Sequence, residues 1–295
     1  MLFRSMKIGI FPNMGKEALY TFWSELISIL QAKHIEYYVA EYARGGFESR
    51  DIAIDKDRYK STNWMGKNLK YILSIGGDGS YLEAAKAFSD YSVILTGIHL
   101  GELGFLNSIR QSDVEERLDQ IVSQKYVLED RMFLSSCILH ADGTRTFLPD
   151  VLNDIVIGRA QIGKMVRVNL YINDIFAQQY PADGLIISTA TGSTGYAFSC
   201  GGPILSPSVK QMMVVPICPH TLSRFASVLS EKDIVKITLP SREHILYISA
   251  DGNGSYELKT NDILLVQGVS KPIRFVRFFD HDFWGTLSGK LMKKS

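Results

Sequence analysis

Residues 71–81 place an apolar run, Tyr71-Ile72-Leu73, ahead of the turn Ile75-Gly76-Gly77-Asp78-Gly79-Ser80, and a helical pattern opens at Tyr81. A strand that turns through glycines straight into a helix commits its surroundings to a layered α/β architecture, because the helix must pack back on the sheet. The neighbouring segments agree. Ile8 to Phe11, Tyr37 to Ala40 and Val93 to Thr96 read as strands, and Leu19, Phe22, Trp23, Leu26 and Leu30 recur at helical spacing. Ser112 and Glu115 form a capping-box pattern ahead of another amphipathic helix, whereas the polar stretch 41–67 reads as a long loop. Residues 1–125 are therefore expected to form an α/β domain with a parallel sheet flanked by helices.

From 126 to 279 the pattern changes to period-2 segments separated by turn residues. Val166, Val168, Leu170 and Ile172 alternate with largely polar neighbours before Asn173-Asp174, and 234–239, 245–249, 263–266 and 273–279 continue in the same style. Such spacing predicts a mainly β second domain, a sandwich-like pair of sheets. The last stretch, 280–295, is expected to return to the first domain. A chain of 295 residues exceeds what one core usually holds, which agrees with two domains.

Charge and composition exclude several classes of function. The formal net charge is +1, with no basic stripe beyond the tail ending Lys293-Lys294, so nucleic acid is not the expected partner. No stretch is long enough to span a bilayer and no apolar leader opens the chain, so no membrane partner is expected. Cys137, Cys200 and Cys218 are too few and too scattered for a disulfide framework or zinc site, and a cytoplasmic protein is expected. The six histidines show no metal-ligand spacing, and no protein-bound metal site is predicted. There is no P-loop signature, and Gly192-Ser193-Thr194-Gly195 is one residue short of a nucleophile elbow.

Two segments can carry chemistry. In the Gly76-Gly77-Asp78-Gly79 turn, glycines let backbone N–H groups approach a ligand, and the helix start behind them favours phosphate. An aspartate there repels phosphate unless it grips a metal or takes a proton from a hydroxyl about to be phosphorylated. The bland alternative is an Asx-turn. The second segment runs from Ala182-Asp183-Gly184 through an apolar strand to 191–202, which is packed with hydroxyls and glycines. It suits ribose, phosphate or amide recognition, with Tyr196 able to stack on a flat ring. Its alternative is a capped helix start with Thr191 or Ser193 as N-cap.

Taken together, these segments resemble the NAD kinase family. Four blocks carry the likeness: Gly76 to Gly79, Gly97 to Leu106, Asn153-Asp154, and Asp183-Gly184 through Gly202-Pro203. The stretches 216–223 and Asp251-Gly252-Asn253 support it. The fourth block is highly specific, whereas phosphofructokinases and lipid kinases resemble the first. The resemblance implies transfer of the γ-phosphoryl of ATP to the 2′-hydroxyl of the adenosine ribose of NAD, with Mg²⁺ accompanying ATP. It implies that Asp78 is the proton acceptor, that Gly76 and Gly77 face phosphate, and that Gly79 and Phe105 lie against the dinucleotide. It further implies substrate contacts from Asn153, Asp154, Lys164, Asp183, Thr191, Thr194, Gly195, Tyr196, Ala197, Phe198, Ser199 and Asn253. Asp154 stands where the family usually has glutamate, and His99 where asparagine is common. By the same resemblance the β-rich domain mediates association into a homodimer or homotetramer. The rival readings are a sugar-phosphate or lipid kinase of the same Gly-Asp-Gly architecture, and a non-catalytic NAD-binding regulator.

Overall fold

Tyr71 to Gly76 are buried without interruption, as expected of a strand in the middle of a parallel sheet with both faces covered. The computed structural model describes residues 6–101, 104–159, 165–220, 225–240, 245–280 and 282–292. The chain divides into two compact units, 1–130 with 272–295, and 131–271. Among the described residues, no helix is long and apolar enough to cross a membrane.

The first unit begins β1 (Lys7–Pro12), α1 (Glu17–Ala32), β2 (Glu36–Ala40), α2 (Arg44–Glu48), β3 (Tyr59–Lys60), α3 (Thr62–Asn68), β4 (Tyr71–Gly76) and α4 (Asp78–Phe88). It continues with β5 (Ile94–His99), β6 (Ile109–Arg110), α5 (Val114–Val122) and β7 (Val127–Glu129). The apolar stripe of α1 buries Leu19, Phe22, Trp23, Leu26 and Leu30, as its spacing requires. The stretch 41–67 is not a loop. It holds α2, β3 and α3, anchored by Phe47, Tyr59 and Met65. One buried anchor per short element leaves no period to read. The expected capping box also fails to form. Ser112 Oγ donates to Asp113 Oδ1 at 2.6 Å, and α5 starts at Val114 without a side-chain cap.

The second unit comprises β8 (Met132–Leu139), β9 (Arg145–Phe147), β10 (Asp154–Arg159), β11 (Val166–Ile172), β12 (Ile175–Ala182) and β13 (Gly184–Thr189). After these come α6 (Tyr196–Ser199), β14 (Gln211–Ile217), β15 (Ser227–Ser230), β16 (Ile234–Thr238), β17 (Leu246–Ala250), β18 (Asn253–Leu258) and β19 (Ile263–Ser270). Two six-stranded antiparallel sheets result, ordered β15-β14-β13-β10-β17-β18 and β12-β11-β16-β19-β8-β9. Alternate residues of both sheets, including Ile155, Leu185 and Ile248 from one and Val168, Ile237 and Leu264 from the other, form a single core. This is the expected two-sheet sandwich. Asn173 and Asp174 both take positive φ, 52° and 64°, in the tight turn joining β11 to β12.

The chain then re-enters the first unit through β20 (Arg274–Arg277) and α7 (Phe283–Met292). β20 pairs in parallel with β5 and antiparallel with β7, completing the sheet β3-β2-β1-β4-β5-β20-β7, with β6 against β5. The run 273–279, read as part of the β-rich domain, therefore belongs to the α/β unit. The crossings fall at 130/131 and 271/272 rather than 125/126 and 279/280. Strand periodicity alone cannot say which sheet a strand joins.

Candidate active site

In the first unit, β4 ends at Gly76 and α4 begins at Asp78, so only Gly77 separates strand from helix. The turn is tied to its surroundings through Ser80 Oγ, which accepts from Asn13 Nδ2 at 2.7 Å and from the Gly77 N–H at 3.4 Å. Gly79 is exposed, with nothing within 4 Å of where a Cβ would stand, leaving open space beside Asp78. The first turn of α4 also offers N–H groups that have no helical acceptor.

The Asp78 side chain is half-buried and held by the loop after β5. Oδ2 accepts the Phe105 N–H at 2.7 Å. Oδ1 accepts from the N–H groups of Leu106 (3.3 Å) and Asn107 (3.4 Å) and from Asn107 Nδ2 (3.2 Å). Gly104 makes this grip possible, because a Cβ there would stand 1.8 Å from Asp78 Oδ1. Oδ2 takes one hydrogen bond among the described residues and so keeps a lone pair for a further donor. Beside the turn, His99 closes β5 in register with Gly76, and its Nδ1 is buried without a hydrogen-bond partner among the described residues. Asn107, fully buried, was not singled out from the sequence, although it directly follows the Gly97–Leu106 block.

In the second unit β10 and β13 pair antiparallel, with Asn153, Asp154 and the start of the 188–199 segment at one end of the pair and Asp183 at the other, beside Arg159. The Asn153 carbonyl accepts the Thr189 N–H at 2.9 Å and Ser188 Oγ at 3.2 Å. Gly192 is needed for this approach, since a Cβ would meet the Asn153 carbonyl oxygen at 2.5 Å. Asn153 Oδ1 is buried and unpartnered among the described residues, while its Nδ2 lies 3.9 Å from the Cβ position of Gly195. An unpaired acceptor in such a place fits a ligand donor.

Asp251 caps the 152–154 turn, its carboxylate accepting the N–H groups of Leu152, Asn153 and Asp154, each at 2.9 Å. Burial and the neighbouring Asp251 carboxylate push Asp154 up to about 7. Asp183 is half-buried and paired with Arg159, whose Nη2 donates to Oδ2 at 3.1 Å while Nη1 stands 3.0 Å from Oδ1. Sequence reading did not single out Arg159. Exposed Asn253 sits by the same turn, its Nδ2 donating to the Asp251 carbonyl at 3.1 Å.

The hydroxyl-rich segment divides into structural and presented groups. Thr189 Oγ1 donates to the Leu152 carbonyl, and Ser193 Oγ links Ala190 to Leu205, so neither hydroxyl is free for a ligand. Neither Thr191 nor Ser193 caps α6, whose N-cap is Gly195. The Thr191 side chain is buried, and the Ala197 methyl packs with Ile186, Met213 and Val215, so Ala197 can meet a ligand only through its backbone. Tyr196 (45% exposed), Phe198 (37%) and Ser199 face outward, with Thr194 and Gly195 half-buried beside them. Lys164 lies outside the described residues.

Residues 8–126 match the family model of the ATP-NAD kinase N-terminal domain, and 152–278 that of the ATP-NAD kinase C-terminal domain. An NAD kinase of Acetivibrio thermocellus is 32% identical over 290 residues, covering 97% of each chain. One of Natranaerobius thermophilus is 30% identical over 284 residues, covering 96% of this chain and 97% of the relative. The fold is shared with a crystal structure of yeast NADH kinase complexed with NADH (TM-score 0.86, 22% identity, 97% of this chain and 87% of that one). It is shared as well with an NAD kinase from Archaeoglobus fulgidus in complex with ATP (TM-score 0.73, 21% identity, 97% and 99%). The chain belongs to the ATP-NAD kinase family.

Proposed function

We propose that this protein transfers the γ-phosphoryl of ATP to the 2′-hydroxyl of the adenosine ribose of NAD, giving NADP. The observation behind this reading is the Asp78 carboxylate, fixed by four N–H donors with a lone pair left on Oδ2 and open space at Gly79. Asp78 orients the 2′-hydroxyl and accepts its proton. The Gly76-Gly77 turn and the first N–H groups of α4 favour the phosphates. Asn153, Asp154, Lys164, Asp183, Thr191, Asn253 and the Thr194–Ser199 segment hold the dinucleotide, with Tyr196 and Phe198 offering ring faces and Arg159 setting the direction of Asp183.

The family implies Mg²⁺. Among the described residues no group of three or more His, Cys, Asp or Glu side chains could hold a metal. A single carboxylate beside a phosphate-favouring turn fits a Mg²⁺ held mainly by ATP phosphates and water. When bound, Mg²⁺ neutralises charge on the transferring phosphoryl group. The proposal extends to a cytoplasmic location, in keeping with the free thiols of Cys137, Cys200 and Cys218. It extends also to a homodimer or homotetramer, supported by the exposed Phe147 on edge strand β9 and Ile175 and Phe176 on edge strand β12.

The deciding experiment is Asp78→Asn, assayed for NADP formation and NAD binding in purified protein. Turnover is expected to fall by ~10²–10⁴-fold with NAD binding kept. Undiminished turnover would remove Asp78 from the role.

A further inference from the structure

The loop that holds Asp78 is itself held from the far end of the chain. Phe105, whose N–H makes the shortest bond to the carboxylate, places its ring against α7. The Phe283 ring lies 6.2 Å away between centroids, inclined at 53°, and Lys290 Nζ stands 4.2 Å from the Phe105 ring centroid. Phe283 and Lys290 are about two helical turns apart and so share one face of α7, with buried Leu287 between them. An ammonium at this distance from a ring centroid is within cation–π range.

The entry to α7 is fixed as well. Arg117 on α5 makes a two-bond fork to Asp280, both bonds 2.8 Å, and its guanidinium lies 4.6 Å from the centroid of the Phe278 ring. Asp282 Oδ1 accepts the Gly285 N–H at 2.9 Å, securing the first turn. Contacts therefore run from α5 to Asp280, three residues ahead of α7, and from α7 through Phe105 to the Asp78 carboxylate.

We infer that α7 positions the proton acceptor: Phe283 and Lys290 hold the Phe105 ring, and the Phe105 peptide thereby keeps its N–H aimed at Asp78. Neither side chain needs to touch substrate. The inference rests on the reading of Asp78 as proton acceptor. It assigns the Phe105 ring to α7, where family resemblance assigns Phe105 to the dinucleotide. A small rotation of the Phe105 peptide releases Oδ2, and displacements of this size in a catalytic group are costly in rate.

The test compares Phe283→Ala, Phe283→Leu, Lys290→Met and Lys290→Arg with Asp78→Asn, measuring kcat and both KM values. Phe283→Ala is expected to lower kcat by about tenfold with KM for NAD and ATP unchanged. Lys290→Met is expected to lower it by about threefold, the size of a surface cation–π contact. Phe283→Leu, which keeps apolar contact, and Lys290→Arg, which keeps a cation over the ring, recover most of the loss. Should Phe283→Ala fail to fold, the Lys290 pair carries the comparison from a partly exposed position. Unchanged kcat in the α7 variants beside an inactive Asp78→Asn overturns the inference alone. A rise in KM at constant kcat overturns it too, returning the ring to the substrate. Full turnover in Asp78→Asn removes the proton-acceptor reading and this inference with it.

Discussion

Gly104 is a glycine because of a carboxylate rather than a backbone angle. It does not take positive φ, yet a Cβ would lie 1.8 Å from Asp78 Oδ1. Gly104→Ala is therefore expected to leave the fold intact, by circular dichroism and melting temperature, and to cost ~10²-fold or more in kcat. Asp154 supplies a second prediction. Its carboxyl sits near 7 in the folded protein against an ordinary 3.8, so the folded state binds the extra proton between those values. Stability linked to this group is fully present below about pH 4 and is lost as pH rises through about 7. Asp154→Asn, neutral throughout, should gain at most roughly 4 kcal/mol over the parent at pH 8, with the gain vanishing near pH 4. Urea titrations at both pH values measure the gap. Asp78 itself was legible in the sequence because its turn is local. Its donors Phe105, Leu106 and Asn107 were not legible as donors, since they arrive 27–29 positions later through the fold. Arg159 was hidden for a related reason. It meets Asp183 only because β10 and β13 pair with Gly158 opposite Gly184, and one sequence does not state a register.

Long, strongly patterned elements were readable, and short ones were not. The stripe of α1, the buried run of β4 and the alternation of β11 each bury enough repeated apolar surface to set a period. α2, β3 and α3 are held by single anchors and carry no period. β20 is the instructive failure, a strand correctly expected but given to the wrong sheet. It lies between β5 and β7 and buries Phe275 completely, with Phe278 just beyond it. Ending the chain after Lys271 removes that strand and opens the sheet. The truncated protein is expected to lose the cooperative melting of the α/β unit while the sandwich keeps its β signal, a separation visible in far-UV circular dichroism on heating.

On the scale of the whole molecule, the sandwich is one uninterrupted stretch of chain, whereas the α/β unit is assembled from two. The sandwich also presents apolar side chains on its edges, with Phe147 71% and Ile175 72% exposed. An unprotected apolar edge of this kind is a site for pairing with another copy. Light scattering at assay concentrations is expected to return the mass of a dimer or tetramer, and a monomer mass would contradict the association.

The insertion of β20 between β5 and β7 also bears on how the protein is born. A nascent chain releases residues 131–271 before the strand that closes its first-made portion, a delay of roughly 7–30 s at bacterial or eukaryotic translation speeds. By the end of that interval the sandwich has every strand it needs. The earlier-made half waits without the partner of Ile94 and Leu95 on β5 and of β7, and this window is where a holding chaperone would bind.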